Sequence, residues 1–276
     1  MTSPTISYCC TCMNRLPQLQ ATLPKNIDLL NSYKGQVELL LVNFIKDEEG
    51  FKIHDWVLSQ GKNQNFKYLV SLDLKYWHAS TAKNTSHANA TGRFLINLDS
   101  DNFIDKKAID ILLSMEEKKL SNTIYTGFTG QIIKKWRPWK KKNFRTRYKF
   151  IRDSNRIDKG YDGSYGNIGF PKKVFESLGG YNQILPPMGG QDADLIKRAI
   201  AILPELHLSQ IPISKAAIPN TKAEGLSNTE SPDADWNRYN KITDGITEKS
   251  LLSDCLIANV GKIRGSTVID GYQFKP

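Results

Sequence analysis

Two kinds of apolar spacing take turns along the first hundred or so positions. Short unbroken runs come at 5–12, at Val37 to Asn43 and at Phe66 to Leu72, each bounded by polar or glycine-containing turns. Such runs predict strands buried on both faces, as in a parallel sheet. Between them the spacing becomes helical. Leu16, Leu19, Leu23, Ile27 and Leu30 recur through about Tyr33, with Pro17 suited to a first helical turn and Pro24 expected to kink the helix. Phe51, Ile53, Trp56 and Val57 mark a second helix over Gly50 to Gln60, and the alanine-rich Ala79 to Ala90 marks a third, ending before Gly92. The run Phe94, Leu95, Ile96 and Leu98 is the fourth strand. This regular alternation predicts an α/β chain whose mostly parallel sheet is wound by right-handed crossovers.

Beyond Asn102 the pattern predicts a helix at about 105–120, a strand from Thr123 to Thr129, a short helix from Pro171 to Leu178 and a helix opening near Gln191 and running to about Ile202. Short strands near 206–218, a polar loop over 219–235 and an amphipathic region at about 235–260 complete the reading. No Gly-x-Gly-x-x-Gly follows the first strand and no Walker lysine loop occurs, which argues against a dinucleotide or P-loop site.

The fourth strand empties into Asp99-Ser100-Asp101-Asn102. Two carboxylates at the carboxyl edge of an open sheet lie where such sheets keep their ligand crevice, and their mutual repulsion calls for a cation. Mg²⁺ or Mn²⁺ suits carboxylate oxygens and commonly shares its shell with substrate phosphates. Two further stretches invite a ligand. One is the glycine-dense segment 160–170, with Tyr165, Gly166 and Asn167; the other is Gly189-Gly190-Gln191-Asp192-Ala193-Asp194, where a glycine pair precedes acids in the first turn of a helix.

Composition narrows the class. Hydrophobic residues make up 39% and charged residues 24%, ordinary for a globular protein. Cysteines 9, 10, 12 and 255 match neither a disulfide framework nor zinc spacing and read as small buried hydrophobes. Histidines 54, 78, 87 and 207 form no ligand pair, which disfavours a zinc hydrolase. With neither a leader-like N-terminus nor a membrane-length apolar run, the expected location is the cytoplasm. Net charge is +10, and nine basic residues with no acid fall between Lys134 and Lys149, interleaved with Trp136, Trp139, Phe144 and Tyr148. Basic and aromatic residues together suit an anionic membrane surface or a phosphate backbone. The rest of the chain carries 29 basic against 28 acidic residues, so no general basic face remains and no nucleic-acid partner is expected.

Together these segments resemble family-2-like glycosyltransferases of the GT-A fold over residues 5–203. The resemblance is carried by Thr11-Cys12-Met13-Asn14-Arg15, by the second strand ending on Asn43, and by Ser80-Thr81-Ala82-Lys83-Asn84. Ala90-Thr91-Gly92-Arg93, Leu98-Asp99-Ser100-Asp101 and Leu178-Gly179-Gly180-Tyr181 with Gly189 to Leu195 complete it. The last segment is similar to the carboxyl half of β-1,4-galactosyltransferases and chondroitin-type polymerases. The resemblance implies a GT-A domain at 1–218, divided into a nucleotide half (1–104) and an acceptor half (105–218), with a C-terminal lid or helical extension at 219–276.

It further implies an NDP-sugar donor, UDP-linked by preference, and Mn²⁺ or Mg²⁺ held by Asp101 with Asp99, unless Asp99 contacts the ribose. Thr11, Asn14, Arg15, Asn43, Lys83, Asp99 and Ser100 would line the nucleotide. Tyr165, Gly166, Asn167, Gly189, Gly190, Gln191 and Asp194 would meet sugar or acceptor, and Asp192 would be the general base of an inverting transfer. The acceptor expected is a cell-surface glycan, whether capsule, lipopolysaccharide or another; the basic and aromatic stretch 134–149 is itself read as peripheral attachment to an anionic inner leaflet, near a lipid-pyrophosphate-linked acceptor.

Three departures stand out. Asn43 replaces the usual uracil-binding aspartate, Gln191 replaces a glutamate, and no histidine follows His207, leaving Asn220 or a looser shell to finish the metal set. A retaining GT-A transferase is one alternative. A nucleic-acid-binding module using 134–149 is the other, of a different class.

Overall fold

Every second residue of the first strand faces the same way, and the side chains divide accordingly. From β1 (Ile6–Cys12), Ile6, Tyr8, Cys10 and Cys12 enter one core, while Cys9 enters the other. The computed structural model describes residues 4–126, 130–135, 147–152, 166–202, 207–210, 222–231, 235–260, 263 and 265–276. After β1 come α1 (Leu16–Asn31), β2 (Val37–Phe44), α2 (Glu48–Ser59), β3 (Phe66–Ser71), α3 (Ala79–Asn89) and β4 (Phe94–Asp99). These match the expected elements to within two residues at each end.

The second half is less regular: α4 (Lys106–Leu113), α5 (Glu117–Leu120), β5 (Thr123–Thr126), β6 (Gly130–Lys135), β7 (Arg147–Arg152), β8 (Ile168–Pro171), α6 (Lys172–Ser177), α7 (Gln191–Ile202), β9 (His207–Gln210), α8 (Lys222–Leu226), α9 (Trp236–Leu252) and β10 (Ile269–Asp270). The single helix expected at 105–120 is two helices. The Ser114 hydroxyl donates to the Ile111 carbonyl (2.8 Å), a local bond that competes with helix continuation. The polar stretch 219–235, expected as a loop, contains α8.

Eight strands form the main sheet in the order β10-β3-β2-β1-β4-β8-β5-β9, and β6 pairs with β7 as a separate antiparallel hairpin. β1 is parallel to both β2 and β4. The chain therefore builds outward from β1 through β2 and β3, then returns to its other side with β4. That reversal is a topological switch point at the carboxyl ends of β1 and β4, where open α/β sheets keep their ligand crevice. β8 runs antiparallel to β4, Leu95 opposite Phe170 and Ile96 opposite Gly169. The start of β8, with Gly166 and Asn167 before it, therefore lies at the edge where β4 ends. Gly169 belongs there because a Cβ would come within 2.7 Å of the Phe94 ring.

Helices α1, α2 and α4 cover one face of the sheet with Leu19, Leu23, Leu30, Ile53, Val57, Ile109 and Leu112. Helices α3, α6 and α7 cover the other with Ala82, Phe175, Leu195, Ile196 and Ala199. Cysteines 9, 10 and 12 are buried in these cores, and burial raises their thiol pKa values, that of Cys12 to about 12, so they behave as hydrophobes, whereas Cys255, expected to be buried too, is exposed beyond the end of α9. The C-terminal tail does more than extend the chain. It returns to the far edge of the sheet, where Ile269 pairs with Val70, and Tyr272 and Phe274 pack edge-on against Tyr68 and His54.

α3 is a polar helix that is nonetheless buried: Ser80, Lys83, Asn84, Thr85, Ser86 and His87 are all under 5% exposed. His87 stacks on Phe175 with ring centroids 4.8 Å apart, and burial lowers its pKa to about 3. The unfolded chain binds a proton here near pH 6.5, whereas the folded chain stays neutral until far lower. Stability should therefore fall by about 1.4 kcal/mol per pH unit below 6.5 from this side chain. Denaturant titrations between pH 7 and 5 on the wild type and His87→Gln check this; an undiminished slope in the variant would assign the effect elsewhere.

Candidate functional site

The Asp99–Asn102 turn is held from behind by polar residues on the buried face of α1. Thr22 Oγ1 donates to the Ser100 carbonyl (2.7 Å). Asn26 Nδ2 donates to the Asn102 carbonyl (3.0 Å), and its Oδ1 accepts from the Ile104 amide (2.9 Å). Sequence reasoning missed both residues. Their signal was present: Gln18, Thr22 and Asn26 form an i, i+4, i+8 polar row inside an otherwise apolar face.

Asp99 and Asp101 leave this turn in different settings. Asp99 lies on the face of β4 that meets α3 and α7; its Oδ1 accepts from Asn97 Nδ2 (3.1 Å), which also donates to the Gly166 carbonyl (2.8 Å). Asp101 is 7% exposed and accepts from Asn102 Nδ2 (3.1 Å). Thr11 is paired in register with Asp99 across β1 and β4.

Across the crevice, α7 begins at Gln191 directly after Gly189 and Gly190, whose φ values of 93° and 76° favour glycine. A Cβ on Gly190 would also come within 2.6 Å of Thr243 Cγ2, while Thr243 Oγ1 donates to the Gly189 carbonyl (2.9 Å). The glycine pair thus lets the start of α7 nest against α9. Asp192 emerges from this first turn and accepts from Lys83 Nζ at 2.7 Å, the two side chains 17% and 6% exposed. Burial raises the Asp192 pKa; Lys83 opposes that shift, the Asp99 charge adds to it, and the nearby Tyr181 hydroxyl opposes it slightly. Asp99, Asp192 and Lys83 thus share one electrostatic neighbourhood.

Tyr181, which sequence reasoning left out of the site, lies in the same place. Asn84 clamps its backbone, donating to its carbonyl (2.9 Å) and accepting from its amide (2.8 Å). Lys83 Nζ sits 5.3 Å from its ring centroid. The hydroxyl is buried and makes no hydrogen bond of normal geometry among the described residues, but it stands close enough to Asp192 to interact with it, and Asp192 and Asp99 raise its pKa beyond the effect of burial. Its sequence signal was the turn Gly179-Gly180, which seats the next residue; both glycines have φ of 68°.

Around this cluster other buried amides lack partners. Both side-chain polar atoms of Asn167, Oδ1 of Asn97 and Oε1 of Gln191 have none among the described residues. Buried amides left open in this way suit a hydroxyl-rich ligand or ordered water.

Other predicted site residues are placed differently. Asn43 is fully buried, donates to the Gly50 carbonyl (3.0 Å) and the Tyr68 hydroxyl (3.3 Å), and offers no surface to a nucleotide in this conformation. It sits on the α2 side of the sheet because residues 37, 39, 41 and 43 share one face. Asp194, expected to face sugar or acceptor, is 1% exposed; it accepts from Arg198 Nε (2.8 Å) and Thr247 Oγ1 (2.6 Å). Arg198 in turn donates to the Leu178 and Gly180 carbonyls (3.0 and 2.8 Å), so this pair ties α7 to the Gly179-Gly180 turn.

Asn14 has φ of 55° and donates to Asp47 (2.9 Å). Arg15 donates to the Glu224 carbonyl of α8, and Asn228 donates to the Met13 carbonyl (3.1 Å), so the α8 segment lies against the β1–α1 loop. Tyr165 and Asn220 lie outside the described residues, as does most of the basic stretch 134–149.

Among the described residues no group of three or more His, Cys, Asp or Glu side chains is arranged to hold a metal. The donor set at the turn is oxygen alone: the carboxylates of Asp99 and Asp101, beside an Asn102 Oδ1 that is buried with no partner among the described residues. That set fits Mg²⁺ or Mn²⁺ retaining waters and substrate phosphates in its shell, and does not fit a protein-only cage.

No family model matches the chain, and no curated protein does. Solved structures do. TarS 1-349 of S. aureus aligns at TM-score 0.52 and 10% identity, covering 90% of this chain and 72% of that one. The same protein in complex with UDP-GlcNAc gives 0.54, 11%, 90% and 73%. The mannosyltransferase PcManGT from Pyrobaculum calidifontis, in complex with GDP-Man and Mn²⁺, gives 0.53, 12%, 91% and 70%. Likeness at this identity is likeness of fold, which does not extend to the narrower galactosyltransferase or chondroitin-polymerase resemblance. With its switch-point crevice and mostly parallel sheet between helical layers, this chain has the GT-A glycosyltransferase fold.

Proposed function

We propose that the protein is a metal-assisted, inverting glycosyltransferase that moves a hexose or N-acetylhexosamine from an NDP-sugar, UDP-linked by preference, to a glycan hydroxyl. The observation that carries this reading is the Lys83–Asp192 ion pair at 2.7 Å, formed close enough to Asp99 for its charge to act on Asp192, at the switch-point end of the sheet. Asp192 accepts the proton of the acceptor hydroxyl as its oxygen bonds to the anomeric carbon. The bond from that carbon to the β-phosphate oxygen breaks, and its electron pair leaves with the diphosphate. Lys83 supplies positive charge near the leaving group, and Thr11 and Ser100 line the nucleotide. Asn97, Asn167 and Gln191 offer amides to sugar hydroxyls.

Asp101 and Asp99 would hold Mg²⁺ or Mn²⁺, which when bound offsets the charge developing on the leaving diphosphate. A carboxylate whose proton affinity is raised by burial is better matched to this base role than an exposed one. The ligands held by the structurally similar glycosyltransferases, UDP-GlcNAc and GDP-Man, favour a nucleotide-sugar donor of this general class. The test is a hydrolysis screen of nucleotide sugars with Mn²⁺, followed by the anomeric proton coupling of the transfer product. Turnover of no donor would end the reading; retention of configuration would remove Asp192 as sole base.

We also assign the C-terminal segment from 219 to an extension that completes the crevice. It touches the β1–α1 loop through Glu224 and Asn228 and the Gly189-Gly190 loop through Thr243. Among the described residues no helix is long and apolar enough to cross a membrane. A role in capsule or lipopolysaccharide synthesis at an anionic inner leaflet rests on the sequence of 134–149. Deleting 136–146 is expected to abolish binding to anionic vesicles, and unchanged binding would remove the membrane assignment.

A further inference from the structure

We propose that Lys83 and Tyr181 form a hand-over pair on Asp192. Lys83 holds the carboxylate until the donor diphosphate claims its ammonium, and the Tyr181 hydroxyl then takes its place. The inference rests on the transferase reading above and adds a positioning residue to it.

Lys83 cannot fully serve two anions. Its Nζ lies 2.7 Å from Asp192 Oδ1, and its side chain is 6% exposed, so little water is available to it. A diphosphate entering at the Asp99 edge brings more negative charge than one carboxylate, and an ammonium on a flexible stem can turn toward it. That movement would leave Asp192 buried and charged without its partner, which is costly. The neighbouring group able to strengthen its hold on the carboxylate is Tyr181. Its hydroxyl makes no hydrogen bond of normal geometry among the described residues, is wholly buried and already stands close enough to Asp192 to oppose the rise that burial gives that carboxylate's pKa, and its ring lies beneath the same ammonium at 5.3 Å.

A hydroxyl without a well-formed hydrogen bond in a core normally costs stability and would be replaced by phenylalanine at no loss. Here the backbone on both sides of the ring is clamped by Asn84, so the hydroxyl is held in place rather than left to find another partner. In the donor complex it donates to one carboxylate oxygen of Asp192, keeping that group ionised and aimed. The other oxygen remains open to the acceptor hydroxyl.

The experiment compares wild type, Tyr181→Phe, Asp192→Asn and the double variant. It uses steady-state transfer, calorimetric binding of nucleoside diphosphate and thermal unfolding. Tyr181→Phe should unfold no earlier than wild type and bind nucleoside diphosphate equally well. Its kcat should fall about tenfold or more, as expected for loss of a hydrogen bond to a charged group, with little change in donor KM. In the Asp192→Asn background the same substitution should change kcat less than twofold, because the hydroxyl acts through that carboxylate. A purely structural tyrosine would instead lower the unfolding temperature and act equally in both backgrounds. Wild-type kcat in Tyr181→Phe, or an equal fall in both backgrounds, overturns the hand-over and leaves the transferase reading standing. A wild type that turns over no nucleotide sugar overturns both.

Discussion

An Asp192→Asn variant is expected to bind nucleotide sugar at least as well as wild type and to turn it over roughly 10²–10⁴-fold more slowly, the usual worth of a general base. Asparagine keeps the shape and can still accept from Lys83, but it cannot take the acceptor proton. Donor binding is retained because the substitution removes a negative charge beside Asp99 and releases the Lys83 ammonium for the diphosphate.

The same change should make the unliganded protein less stable. Lys83 then keeps a buried charge without its counter-charge, a loss that can reach about 3–5 kcal/mol when a buried pair is broken. Nucleoside diphosphate should recover more unfolding temperature in the variant than in wild type, by replacing the missing anion. Near-normal turnover in Asp192→Asn would remove this residue from the chemistry, whatever the binding data show.

Asp101→Ala is expected to abolish the metal dependence of donor binding. Losing even an outer-shell partner of a metal site costs 10–100-fold, so removing one of two carboxylates should cost at least about tenfold. The fold should survive, because Thr22 and Asn26 hold the turn through the Ser100 and Asn102 carbonyls, independently of the Asp101 side chain. Titration calorimetry of UDP and GDP, with and without Mn²⁺, separates the outcomes. Affinity that still rises with Mn²⁺ in the variant would move the metal away from this turn. Loss of binding in the absence of metal as well would point to a role in shaping the turn.

Much of the architecture could be read along the chain. The first seven elements follow from runs such as Val37–Asn43 and from the leucine spacing of α1, because a buried strand and a two-sided helix each impose a local period on the sequence. The placement of Asp99 at a sheet edge followed from the strand ending there. What local pattern could not show was partnership. Asp192 and Asp194 look alike in sequence, two acids in one helical turn. Yet residue 192 faces the crevice and Lys83, while residue 194 turns inward to Arg198 and Thr247. Asn43 fell on the far side of β2 for a reason of strand parity that the sequence did state. Its closure by Gly50 and Tyr68 depended on how α2 packs.

By itself, then, the chain determined the order of its strands and helices, the two-faced core and the acidic turn at a strand's end, since these depend on neighbours a few residues away. Only the tertiary structure decided that α3 would bury a lysine against an acid 109 positions later, that Tyr181 would lie beneath that lysine without a well-formed hydrogen bond, and that the last dozen residues would return to the edge of the sheet. Those outcomes depend on long-range packing in a low-dielectric interior, where the benefit of a polar group is set by the partner it meets and not by its place in the sequence.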